Sequence, residues 1–299
     1  ITTNIMLIFS IALLIFTQCL NEVSTLSFKP PTTCAHSRMY GTTLGNSPEA
    51  IAYKTILYAT TDPNNDEQNL DVGEIYANPL TSFLGNFIGS KDEKMEIGDK
   101  EQENIVQLDD FTKPKAFNLP IEEMVKRLDA GIRENEWFVT GKVMSELFAD
   151  DFFFKDPDVQ LRGIEKYADG VNRLFDQNTS RVEVISCELN PAITDTVNKE
   201  VGVSIDDDKF VQVVTVEWRL SGNVNIGPFG GLFIKPYICY SDLHVRNVDG
   251  LIVYQEDRFD IPGWDILLSA IAPWLPFLAP PAPPVSVILQ RKADNNGNN

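Results

Sequence analysis

Residues 143–163 read VMSELFADDFFFKDPDVQLRG. A helix is expected over residues 143–148, followed by an acidic corner at Asp150-Asp151. Phe152 to Lys155 then make a short aromatic strand. Asp156-Pro157 ends it, because proline cannot donate to a strand ladder. Gly163 opens the next helix, with Ile164, Tyr167, Val171, Leu174 and Phe175 on one stripe. Upstream, Leu119-Pro120 starts a helix whose first turn carries Glu122 and Glu123, where carboxylates suit the helix dipole. Its apolar face is Ile121, Met124, Val125, Leu128 and Ile132.

Beyond Asn178 the hydrophobic period changes from helix to strand. Residues 182–187 and 210–220 alternate, the second run placing Val214, Val216, Trp218 and Leu220 on one face. Residues 235–248 and 251–260 make two more strands, joined by the tight turn Asp249-Gly250. The loop 193–209, with Asp206-Asp207-Asp208 at its end, reads as a mobile hairpin tip. Helices first and long strands afterwards predict an α+β fold, three N-terminal helices packed on a strongly curved antiparallel sheet.

The flanks read differently. Residues 5–16 are an apolar run too short for a comfortable span, and small residues follow up to Ser27; residues 1–27 read as a signal peptide, with a membrane anchor as the alternative. Residues 28–48 hold no acid and many hydroxyls, the composition of a transit peptide. Residues 49–118 are expected to be a linker: from Asp62 to Asp110 there are 13 acids and 3 bases, interrupted by an apolar patch at 75–88. The domain proper is placed at 119–263. Residues 264–299 are an apolar, proline-rich arm with a disordered end at 294–299; the arm either wraps the domain or makes peripheral membrane contact through 264–289.

The 299 residues carry 43 acids and 25 bases, a net charge of -18, which argues against a nucleic-acid partner. Four scattered cysteines and two histidines offer no zinc-ligand spacing. No phosphate loop, nucleophile elbow or dinucleotide fingerprint is present, so no cofactor and no metal is expected. Cys187 and Cys239 are either buried free thiols or a disulfide between neighbouring strands.

Phe148-Ala149-Asp150-Asp151, Lys155-Asp156-Pro157, Arg162-Gly163 and Asp249-Gly250-Leu251-Ile252 together resemble the nuclear-transport-factor-2-like superfamily, which includes ketosteroid isomerases and SnoaL-type polyketide cyclases. The resemblance covers residues 119–260 and is nearest to a plant and algal plastid branch of unassigned activity. It implies a conical fold. By matching position it implies Asp156 as a proton-shuttling base and Asp242 as a neutral hydrogen-bond donor. Two such carboxyls differ only by environment, one solvated and one in apolar surroundings. Strand alternation sets Tyr240, Asp242 and His244 on one face; the helix-1 tyrosine of the isomerases has no counterpart among Leu128, Asp129 and Ile132, and Tyr240 and His244 are only candidates to replace it. Phe152, Phe154, Trp218 and Tyr254 are the expected pocket wall.

The resemblance of residues 1–48 to the bipartite presequences of complex algal plastids implies a plastid address; the secretory pathway is the alternative. The favoured functional reading is a domain that binds a small apolar ligand or a plastid protein, with a homodimer as one assembly. The other reading is a cofactor-free isomerase, cyclase or dehydratase working through Asp156 and Asp242.

Overall fold

A computed structural model of the chain describes residues 75–76, 111–157, 159–202, 209–225 and 231–296, the side chains of 75–76 and 200–201 excepted. The expected signal and transit segments, most of the acidic linker and the Asp206-Asp207-Asp208 tip lie outside the described residues. In chain order the elements are β1 (Ile75–Tyr76), α1 (Ile121–Asn135), α2 (Trp137–Thr140), a 3-10 turn (Ser145–Leu147), β2 (Phe148–Lys155), β3 (Val159–Arg162) and α3 (Ile164–Leu174). They continue with β4 (Arg181–Leu189), α4 (Pro191–Val201), β5 (Val211–Asn225), β6 (Gly231–Arg246), β7 (Ile252–Phe259), α5 (Gly263–Ile271) and α6 (Val285–Asn296).

The strands form one sheet in the order β1-β3-β2-β7-β6-β5-β4, open at both edges. All neighbours are antiparallel except β2 and β7, which run parallel. Register shifts interrupt the pairing at Phe148/Phe153, Val184/Ser186, Leu220/Gly222 and His244/Val245. Bulges of this kind bend a sheet. The core lies on its concave side, where Met124, Leu128 and Ile132 of α1 meet Phe148, Phe152, Val214, Val216, Leu220 and Leu243. A smaller cluster, with Ala149, Phe153, Val197, Val211, Val253 and Tyr254, forms on the opposite face.

Helix α1 follows its expected stripe. It ends at Glu136, which is left-handed (φ 48°) and whose carboxylate accepts the Val182 N–H at 2.8 Å, tying the helix end to β4. Helix α2 ends at Gly141 (φ 72°), where a Cβ would stand 2.2 Å from the Ala168 carbonyl oxygen; only glycine lets α2 and α3 approach so closely.

Several boundaries differ from expectation. The helix expected at 143–148 is a single 3-10 turn, and the aromatic strand already begins at Phe148, with its bulge at the acidic corner. Periodicity alone does not separate a short buried strand from a helix. The expected mobile tip at 193–209 begins as helix α4, whose N-terminus has Asn190 accepting the Ile193 N–H and Pro191 in the first turn. Residues 111–118, grouped with the linker by composition, lie against the domain: Phe111 and Ala116 pack on the core, and the Asn118 N–H donates to the Asp249 carbonyl.

The arm carries two helices rather than one extended segment, and α6 reaches Asn296, so 294–296 of the end expected to be disordered are helical. All six of its prolines fall between them. The arm is fastened to the domain at Lys235, which pairs with Asp265 and donates to the Ala279 carbonyl at 2.7 Å. The Ala282 N–H donates to the Pro236 carbonyl at 2.7 Å, and Lys292 pairs with Glu217. Cys187 and Cys239 are free thiols, on strands separated by β5.

Candidate functional site

The concave side encloses a cavity of about 260 Å³. Phe138, Phe154, Leu161, Val171, Trp218 and Leu220 give it apolar walls; Tyr167, Tyr237, Cys239 and Asp257 supply its polar atoms, and Asp156, Lys166, Asp169 and Arg173 also line it. Each strand contributes alternate residues, so the face that packs the core also sets the lining. Phe138 stacks on Trp218 at 4.6 Å between centroids, which fixes one wall. Gly170, inside α3, borders the cavity, and a Cβ there would meet nothing within 4 Å.

Asp257 is the buried carboxyl of this lining. Burial pushes it up to about 7, against hydrogen bonds from Ser241 and Gln255 that pull the other way, with Asp156 and Asp242 adding a smaller upward push. It belongs to a chain of polar groups across the sheet. Trp218 Nε1 donates to Ser241 Oγ at 3.0 Å, Ser241 meets Asp257, and Gln255 Nε2 donates to Asp257 Oδ1 at 2.9 Å and to Tyr167 Oη at 3.3 Å. Burial also pushes the Tyr167 and Tyr237 phenols up, so both stay neutral donors at physiological pH.

Of the residues singled out from sequence, Asp156, Phe154 and Trp218 line this cavity. Asp156 also closes the turn between β2 and β3: the Val159 N–H donates to its Oδ1 at 2.5 Å, and its own N–H donates to the Val159 carbonyl. Phe152 is fully buried beside the cavity, edge-on to Phe148 and Tyr167. The other four are on the opposite face. Asp242 accepts from Thr215 Oγ1 at 2.7 Å and from Arg258 Nε at 2.8 Å. Tyr240 lies under the Arg258 guanidinium, 5.4 Å from the ring centroid. His244 is buried edge-on against Tyr254, 4.9 Å between centroids, and Tyr254 stacks on Phe153. Burial lowers the His244 imidazole to about 3, so it is neutral.

The physical reason is parity. On β6, beyond the register shift that separates Ile234 from Tyr237, the residues that join the concave core are Tyr237, Cys239, Leu243 and Val245, so Tyr240, Asp242 and His244 point away. The pair of carboxyls that shares the cavity is therefore Asp156 and Asp257, not Asp156 and Asp242. Counting from the hairpin glycine along β6 misses Asp257, which is on β7; the spacing Gln255-x-Asp257-x-Phe259 is the signal that marked it, two polar groups in step with an aromatic.

No known sequence family matches the chain, and no curated protein does. Among solved structures it is similar to AclR of Streptomyces galilaeus, with 17% identity over 58% of this chain and 94% of that one, TM-score 0.31. It is similar to a protein assigned as a SnoaL-like polyketide cyclase from Jannaschia sp. CCS1, with 18% identity over 55% and 98%, TM-score 0.33. A third similar structure is a protein of ketosteroid-isomerase-like fold from Catenulispora acidiphila, 14% identical over 50% and 97%, TM-score 0.31. What decides the architecture is the arrangement itself: an open, bent sheet with helices across its concave side. The fold is an α+β cone, helices packed on one curved, open sheet. Within the cone, α1 packs on the core, while α2, α3 and strands β2, β3, β5, β6 and β7 bound the hollow.

Proposed function

We propose that the cone binds a small, mainly apolar molecule carrying one polar group, seated with that group at Asp257. The observation that carries this reading is a buried carboxyl poised near neutrality in the lining of an apolar cavity. Ligand sites commonly combine apolar walls with a few convergent polar groups, and a carboxyl with a strongly shifted pKa marks such a place. About 260 Å³ suits a compact molecule rather than a long lipid chain. Residues 1–48 contribute the plastid address of this proposal.

The test uses Gly170. It borders the cavity and has open space at its Cβ position, so a leucine there can be started without backbone conflict and project into the ligand's space. Mass spectrometry of small molecules co-purifying with the full chain is expected to find a compound retained by the wild type and absent from Gly170→Leu. Equal retention by both would overturn the reading.

A second reading has one specific observation behind it. Asp156 and Asp257 line the same cavity, and the charge of Asp156 raises the proton affinity of Asp257. With Asp257 protonated as donor and Asp156 ionised as base, the pair could move a proton next to a carbonyl without a cofactor. Under this reading, turnover of the retained compound falls at least ~100-fold in both Asp156→Asn and Asp257→Asn, the usual scale for losing an acid or base. If only binding weakens and no product forms with wild type, the domain is a binding protein.

A further inference from the structure

We propose that the tip of the C-terminal arm, residues 273–278, inserts into the interface of a lipid bilayer with electrically neutral headgroups. The tip presents Trp274 at 76% exposure and Phe277 at 58%, three residues apart, each directly after a proline, Pro273 and Pro276. No charged side chain occurs between Asp265 and Arg291. Isolated exposed aromatics are ordinary, but an uncharged, proline-stiffened tip carrying two of them is an interaction surface.

The tip is held out rather than left loose. On one side of it, Asp265 at the start of α5 is buried, pairs with Lys235 and accepts the Ala279 N–H at 2.8 Å; Lys235 donates to the Ala279 carbonyl from the same place. On the other, the Ala282 N–H and carbonyl are bonded to Pro236 and Arg219. These bonds fix residues 279 and 282 on the sheet and leave the preceding aromatics pointing outward. A buried ion pair left with one partner is costly, so this clamp sets a defined geometry.

Chemistry selects the occupant. From Ile266 to Val285 the side chains are apolar except Ser269, whose hydroxyl is turned back onto the Ile266 carbonyl at 2.7 Å. Such a tip offers a protein partner no directional contact, whereas a bilayer interface requires none and favours tryptophan. Among the described residues no helix is long and apolar enough to cross a membrane, which suits shallow insertion. The net charge of -18 repels anionic headgroups, so a neutral surface is selected.

The test is partition of the full chain onto phosphatidylcholine vesicles, and onto vesicles in which a third of the lipid is phosphatidylglycerol. Because residues 5–16 are also apolar, the tip is isolated by comparing variants within the full chain. The double substitution Trp274→Ser with Phe277→Ser is expected to lower the partition coefficient on neutral vesicles ~10-fold or more, from two lost aromatic burials. Far-UV circular dichroism and melting should be unchanged, since both side chains are exposed. Bromine-labelled phosphatidylcholine should quench tryptophan emission in the wild type, and Trp274→Phe should remove most of that quenching while still partitioning. Three results would each overturn the proposal: wild-type partition by the double variant, quenching unchanged in Trp274→Phe, or tighter binding to the anionic vesicles. So would a dimer without lipid that the double variant abolishes, because a second copy would then cover the tip.

Discussion

Asp257 and His244 are buried on opposite faces of the same sheet, and burial shifts them in opposite senses. The folded Asp257 holds its proton up to about 7, against 3.8 in the unfolded chain, so its contribution is lost as pH rises from about 4 through 7. The folded His244 refuses a proton until about 3, against 6.5 unfolded, so stability is lost as pH falls from 6.5 toward 3. Each effect is on the order of 4 kcal/mol at full extent. Between about pH 4 and 6.5 the two oppose each other and largely cancel. Denaturant midpoints across that window should therefore be nearly flat in the wild type, as far as these groups govern it. Asp257→Asn should lose stability as the solution is acidified, while His244→Phe, which keeps an aromatic against Tyr254, should gain it. Parallel curves for all three proteins would show that neither group titrates as its burial requires. The same helix that borders the cavity offers a third check. Gly170→Ala should raise stability by about 0.5–1 kcal/mol, because alanine is the better helix former and its methyl meets open space.

At the scale of elements, glycine sets the contact between α2 and α3. Gly141→Ala puts a methyl on the Ala168 carbonyl and strains a left-handed backbone, so a loss above ~2 kcal/mol in urea unfolding is expected. Helix α1 was legible before any coordinates, because Met124, Leu128 and Ile132 repeat at helical spacing and all three are fully buried. Helix α3 was legible from Gly163 and its stripe, and β5 from its alternation. Helix α4 was not, although Asn190-Pro191 is a good helix start; its interior, ITDTVNKEV, has no broad apolar stripe to announce it. Strand β3 was hidden for another reason: its four residues are all half-buried, so no clean period exists to read. The candidate site was half legible. Asp156, Phe154 and Trp218 come from local pattern, but Asp257 becomes part of a cavity only once parity on β7 is known, and a bulge between β6 and β7 resets that count.

At the scale of the molecule, the two faces of the sheet do different work. The concave face holds the cavity, and the opposite face is tied down by ion pairs, Asp242 with Arg258 and Glu183 with Arg219. The arm is fastened across that second face through Arg219, Lys235 and Glu217. The half-exposed Lys292–Glu217 pair contributes little to stability, whereas the buried Lys235–Asp265 pair is costly to break and sets the placement of the arm.

The parallel contact between β2 and β7 joins residues about a hundred positions apart in the chain, Lys155 with Glu256 at its far end. Until residue 259 has emerged, β2 has only β3 to lie beside and β6 only β5, so each keeps an open edge and the sheet stays in two pieces. Such topology places assembly after synthesis rather than during it, in the millisecond-to-second class of non-local folders. A nascent chain of this protein therefore stays exposed, and available to chaperones, for the whole time it takes to build.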